Sequence, residues 1–168
     1  KQKKRQAWFA GDTLAYSIGQ GYLLATPLQL AQATAWLGMR GERPAIHLLK
    51  AYSSQGKVLK ASQPNSSAPL QFSEEDLKLI FDSMQAVIKY GTGSYHFGQK
   101  IWGSPAYSVA GKTGTVQVYN LAKRKYDKNN MPYALRDHSI FIAFAPIDHP
   151  EIAVATIVEH GSNAGDIT

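Results

Sequence analysis

The chain has 168 residues, 44% hydrophobic and 18% charged, enough length and apolar content for one domain with a real core. It has no cysteine, which excludes disulfides, cysteine nucleophiles and thiolate metal sites. The formal net charge of +6 favours acidic partners, whether nucleic acid, anionic lipid or a carboxylate-bearing substrate. Much of that charge sits in "KQKKR" at 1–5 and "KRKYDK" at 123–128, runs that read first as solvated loops. No apolar run is long enough to cross a membrane, and the basic start leads into no apolar stretch of the signal-peptide kind. With an end in the Gly-rich "EHGSNAGDIT", residues 1–168 read as a portion of a larger protein.

In chain order, Gly19-Gln20-Gly21 lacks the Lys-Ser/Thr continuation of a phosphate loop and reads as a tight turn. The segment "TPLQLAQATAWLGMRG" then predicts a helix. Thr26 fits the N-cap, Pro27 the first helical position and Gln29 the third, completing a capping box. Leu30, Ala31, Thr34, Ala35 and Leu37 form its packing face, and Gly41 is placed at C′. "AIHLLKAYSSQGKVLKA" predicts a hairpin around 53–56, and 61–71 a polar linker. A second helix starts at the cap Ser73, with Asp76 at its third position and a Phe72–Leu77 staple. Leu77, Ile80, Phe81, Met84, Val87 and Ile88 recur at helical spacing until Gly91. "YGTGSYHFGQK" reads as a turn-rich surface loop.

A strand over 106–119 follows, then a basic loop over 120–137, longer than a hairpin needs, expected to move near the mouth of a groove. "HSIFIAFAP" and "EIAVATIVEHG" are continuous apolar runs, expected as strands buried on both faces and central in a sheet. The short "PIDHP" turn makes them antiparallel. The predicted class is therefore mixed α/β: a central antiparallel sheet covered by helices, with the 106–119 strand at its edge. An edge strand can accept an extended peptide.

That strand carries the chemistry. "SVAGKTGTVQV" places Lys112 between Gly111 and Gly114, an odd choice for a strand that only has to pack. Lys112-Thr113-Gly114 is the Lys-Thr-Gly element of penicillin-binding proteins and β-lactamases. The two-residue period puts Thr113 and Thr115 on one face, where two hydroxyls can hold a carboxylate. Gly114 removes a side chain that would block an approaching backbone, and the Thr115 N–H can point at a developing oxyanion. Lys112 starts toward the other face and must reach round the edge to bring its charge to a nucleophile. On the triplet alone, a lysine guarding an exposed edge against aggregation explains the pattern equally well.

Three longer blocks add to it: "GDTLAYSIGQGYLLATPLQLAQATA" at 11–35, "VAGKTGTVQV" at 109–118 and "LRDHSIFIAFAPIDHPEIAVATIVEHG" at 135–161. In these blocks and their order the chain resembles the bacterial penicillin-binding proteins, and Arg136-Asp137-His138 points to their elongation type. The resemblance implies the C-terminal part of a serine D,D-transpeptidase domain with the β-lactamase/transpeptidase fold. Lys112 and Thr115 would be catalytic, and Thr113, Gly114 and Thr115 would bind substrate. No cofactor or metal is implied. The implied partners are peptidoglycan stem peptides, β-lactams, the N-terminal portion of the same protein and a membrane glycosyltransferase of the elongation machinery. The implied place is the periplasmic face of the inner membrane, reached through an anchor outside these residues.

The family's nucleophile sits in a Ser-x-x-Lys element on a helix, with a Ser-x-Asn or Ser-x-Asp element beside it. Here the one Ser-x-x-Lys string is Ser54-Gln55-Gly56-Lys57, in the predicted hairpin turn, so it reads as a decoy; no Ser-x-Asn or Ser-x-Asp exists. The nucleophile is thus expected outside residues 1–168. His138 reads as a polar residue at a strand boundary, and His47, His96, His149 and His160 show no metal-ligand spacing. Two alternatives stand beside this reading: a β-lactamase or β-lactam sensor of the same fold, and a basic nucleic-acid-binding module using 120–137, for which no recognition pattern is present.

Overall fold

Two helix caps organise the molecule. In the computed structural model, which describes residues 7–60, 66–94, 108–118 and 132–161, helix α2 spans Pro27–Gly38 and helix α3 Glu74–Lys89. The Thr26 hydroxyl accepts from the Gln29 N–H, and the Gln29 side chain accepts from the Thr26 N–H, the expected capping box. At the other end the Gly41 N–H reaches the Trp36 carbonyl at 2.8 Å and the Arg40 N–H the Leu37 carbonyl at 3.0 Å. That is a Schellman motif one residue earlier than expected: Arg40 is the left-handed residue at φ 56°, and Gly41 follows it at C″. Gly41 is still required, since a Cβ there would lie 2.2 Å from the Leu70 carbonyl oxygen. Arg40 also pairs with Glu74, tying the end of α2 to the start of α3.

Helix α3 starts as read: the Ser73 hydroxyl accepts from the Asp76 N–H at 3.0 Å. Its stripe of Leu77, Phe81, Met84 and Ile88 is buried. An additional helix, α1 at Ala10–Ser17, is not among the predicted elements. The Asp12 carboxylate accepts from the Phe9 N–H at 2.8 Å, and Trp8 lies with its ring 6.1 Å from those of Tyr16 and Tyr22. No α1 residue is buried. Gly19 and Gly21, at φ 74° and 72°, make the tight turn that follows.

Strands β1 (Ala51–Ser54) and β2 (Lys57–Lys60) form a hairpin with Gln55 and Gly56 at positive φ, the pattern of a two-residue primed turn. Strands β3 (Ala110–Val116), β4 (His138–Ala145) and β5 (Ile152–Val158) form an antiparallel sheet in the order β3-β4-β5. Strand β3 covers less than the 106–119 expected, with residues 106, 107 and 119 outside the described residues. Most of the 120–137 loop also lies outside them; its described end carries a single 3₁₀ turn at Tyr133–Leu135.

The core lies between this sheet and the two longer helices. Leu77, Phe81, Met84, Ala110 and Phe144 form one buried cluster, and Ile88, Phe141 and Ala143 a second. Phe81 and Phe144 meet with ring centroids 5.0 Å apart. Gly38 brings α2 onto this aromatic pair: a Cβ there would stand 3.1 Å from the Phe144 ring. The expectation of two central strands is met, among the described residues, only for the first. Strand β4 is central, but β5 is the outer strand of the described sheet and none of its residues is buried; Ile152 is 60% exposed. The apolar run that reads as doubly buried has only one neighbouring strand, β4, among the described residues.

Candidate functional site

Strand β3 pairs with β4 on one side only, so among the described residues its other edge is open, the position expected for it. The pairing Gly111↔Ala143, Thr113↔Phe141 and Thr115↔Ser139 sets the odd-numbered residues on one face. Gly111 is explained there by packing: a Cβ would fall 2.7 Å from Phe141 Cζ and 3.0 Å from Ile88 Cδ1. Gly114 is different. A Cβ at 114 would meet nothing nearer than Ile140 Cβ at 3.7 Å, ordinary contact, so no described neighbour demands glycine there.

The candidate side chains divide by position. Thr113 is buried, and its hydroxyl lies 2.7 Å from the Thr92 hydroxyl, just past the end of α3. Thr115 shares its face by parity but is exposed. Lys112 is exposed, and its ammonium donates to the Thr113 carbonyl at 2.7 Å, so its charge lies on the strand's own backbone. Gln20, from the turn after α1, donates its side-chain amide to the Thr115 carbonyl at 2.9 Å. Across from Thr115, Ser139 is fully buried and its hydroxyl has no hydrogen-bond partner among the described residues. Beyond the strand, the Val118 N–H reaches Asp137 Oδ1 at 3.3 Å, tying β3 to the entry of β4.

Sequence reasoning missed Gln20 and Thr92 as parts of this site. Each is flanked by two glycines, and that Gly-x-Gly setting is the only local signal they carry. His138 has the boundary role read for it: its Nδ1 accepts from the His160 N–H at 2.9 Å, while His160 Nδ1 lies 3.1 Å from the Arg136 carbonyl. Ser54 and Lys57 face each other as the closing pair of the β1–β2 hairpin, not one turn apart on a helix.

A Lys-Thr-Gly strand on the open edge of an antiparallel sheet, with helices packed on it, fits the penicillin-binding transpeptidase family, with which β-lactamases share the element. The chain belongs to that family: residues 1–168 match the family model for the penicillin binding protein transpeptidase domain. More particularly, it is 37% identical over 163 residues to the peptidoglycan D,D-transpeptidase MrdA of Acinetobacter baumannii, covering 96% of this chain and 23% of that protein. It is 36% identical over 163 residues to MrdA of Escherichia coli K12, covering 96% and 25%. Among solved structures, Pseudomonas aeruginosa PBP2 in complex with WCK 5153 matches with a TM-score of 0.70 at 33% identity, over 96% of this chain and 32% of that one. PBP2 of Helicobacter pylori in complex with MreC matches at 0.68 and 28% identity, over 96% and 26%. The chain thus spans about a quarter of the length of the curated relatives it matches. The β-lactamase and nucleic-acid readings find no support among these relatives.

Proposed function

We propose that residues 1–168 supply the Lys-Thr-Gly wall of a serine D,D-transpeptidase that cross-links peptidoglycan stem peptides and is acylated by β-lactams. The observation that carries this is the open β3 edge bearing Lys112 to Thr115 in a chain of this family. In the reaction, a serine outside these residues attacks the carbonyl of the D-Ala-D-Ala bond. The terminal D-Ala leaves with the proton from the serine, and an amine of a second stem peptide then takes the acyl group and frees the serine. Lys112 supplies positive charge beside the nucleophile. The exposed Thr115 hydroxyl and the Thr113 hydroxyl, which can accept from Thr92 and still donate, hold the substrate carboxylate, and the Thr115 N–H stabilises the oxyanion. Gly114, unneeded by any described neighbour, leaves room for a ligand backbone.

The exposed apolar faces support a partner in the rest of the same domain. Leu14, Ile18, Leu24 and Leu48 are 73%, 76%, 91% and 97% exposed, apolar side chains that the rest of the domain would cover. The periplasmic face of the inner membrane, and partnership with an elongation-machinery glycosyltransferase, follow from the same reading. The H. pylori relative in complex with MreC supports a protein partner for this family and leaves the glycosyltransferase and the location as parts of this proposal.

The test is Thr113→Val in the full-length protein, which keeps the shape of the side chain and removes the hydroxyl. Losing one hydrogen bond to a charged acceptor is expected to slow β-lactam acylation roughly tenfold or more. An unchanged rate means that the carboxylate is held elsewhere. A deacylation rate fast enough for turnover of the β-lactam would instead identify a β-lactamase.

A further inference from the structure

We propose that Trp8, Tyr16 and Tyr22 form a saccharide-stacking platform beside the candidate site, and that it takes an amino sugar of the glycan strand from which the stem peptide hangs. The inference rests on the stem-peptide reading of that site.

Helix α1 buries none of its residues, so the core does not account for it. Its two sides differ. Leu14 and, at the C-cap, Ile18 lie four positions apart on one side, the aliphatic surface that the rest of the domain would cover. Thr13 and Tyr16, three positions apart, lie on another side, and Trp8 joins them there. The Trp8 indole N–H donates to the Thr13 hydroxyl at 2.8 Å, which fixes the ring against the helix. Tyr16 stands edge-on to it at 70° and Tyr22 tilted at 40°, each with its ring centre 6.1 Å from that of Trp8. The three residues are 58%, 49% and 61% exposed, so the rings are held in place and yet open to a ligand.

Such a cluster suits a pyranose. A sugar ring has a face of C–H bonds and a rim of hydroxyls. The C–H face packs on the electron-rich face of an indole or phenol, while the rim can bond the tyrosine hydroxyls. Trp and Tyr have two side-chain torsions each, so little entropy is lost in holding them to a ligand. The platform is also continuous with the candidate site. The Gln20 N–H donates to the Ala15 carbonyl at 2.9 Å, locking the turn onto the end of α1, and its side-chain amide donates to the Thr115 carbonyl at 2.9 Å. Tyr22 follows two residues later. Gly19, Gln20 and Leu23 also share a cavity of about 210 Å³ with Val116 and Gln117, at and just past the end of β3. Each residue of an extended stem adds at most about 3.5 Å. A sugar a few residues from the reacting carbonyl is therefore within reach of Tyr22.

The test measures how well two peptidoglycan fragments protect the full-length protein from acylation by a fluorescent penicillin. One is a disaccharide carrying a pentapeptide stem; the other is the free pentapeptide of the same sequence. In the wild type the disaccharide form is expected to protect at about fivefold to thirtyfold lower concentration, the contribution of a stacked aromatic anchor. In Trp8→Leu and Tyr22→Leu that ratio is expected to fall toward one, while Tyr22→Phe, which keeps the ring, retains most of it. Acylation with no fragment present is expected to be unchanged in all three variants. Equal protection by the two fragments in the wild type, or a ratio that survives both leucine variants, overturns this inference alone. So does a loss of acylation in both leucine variants, which would make the rings mere supports of the turn. A wild type that the penicillin does not acylate overturns the transpeptidase reading and this inference with it.

Discussion

Replacing Lys112 by methionine is expected to slow β-lactam acylation of the full-length protein by about a hundredfold to a thousandfold, the effect of deleting one preorganised group that stabilises developing charge. Methionine keeps most of the stem and removes the ammonium. The charge sits at the surface, and its one recorded bond is to the exposed edge, at the Thr113 carbonyl. Deleting it is therefore expected to move folding stability by no more than about 0.5 kcal/mol. The measurement pairs stopped-flow acylation with thermal unfolding. A large loss of stability with little loss of rate would make Lys112 an edge guard and not part of the chemistry.

The largest expected loss of stability is at Phe144→Ala. The ring is 1% exposed, packs 5.0 Å from Phe81, and is the surface on which Gly38 seats α2. Truncation leaves a cavity where α2, α3 and β4 meet, at a cost of about 3–5 kcal/mol. Denaturant unfolding of the transpeptidase domain is expected to show a lower midpoint with an unchanged slope. A cost below about 1 kcal/mol would mean that the cluster of Phe144, Phe81 and Leu77 is not the centre of the core.

What was legible in the sequence was local. Thr26 with Gln29, and Ser73 with Asp76, are caps whose partners lie three residues away, so both helix starts could be read directly. The Leu77–Ile88 stripe and the edge position of β3 followed from periodicity and from its contrast with the apolar later strands. Helix α1 was missed because it is short, buries nothing and has only Asp12 as a start signal. The end of α2 shifted because Arg40 takes a left-handed conformation normally left to glycine. Parity placed Thr113 and Thr115 on one face but could not tell that Thr113 is covered there while Thr115 is exposed. Gln20 and Thr92 act across 95 and 21 residues of chain, and no pattern in their own neighbourhoods records those contacts.

The most direct measurement is the position of the penicillin adduct. The full-length protein is labelled with a fluorescent penicillin, digested, and the modified peptide sequenced, with the isolated 168-residue chain treated in parallel. The account predicts a single acylated serine outside residues 1–168 and no covalent label on the isolated chain, because Lys112, Thr113 and Thr115 bind and stabilise but do not attack. Label on the isolated chain, or an adduct at Ser54, would contradict it.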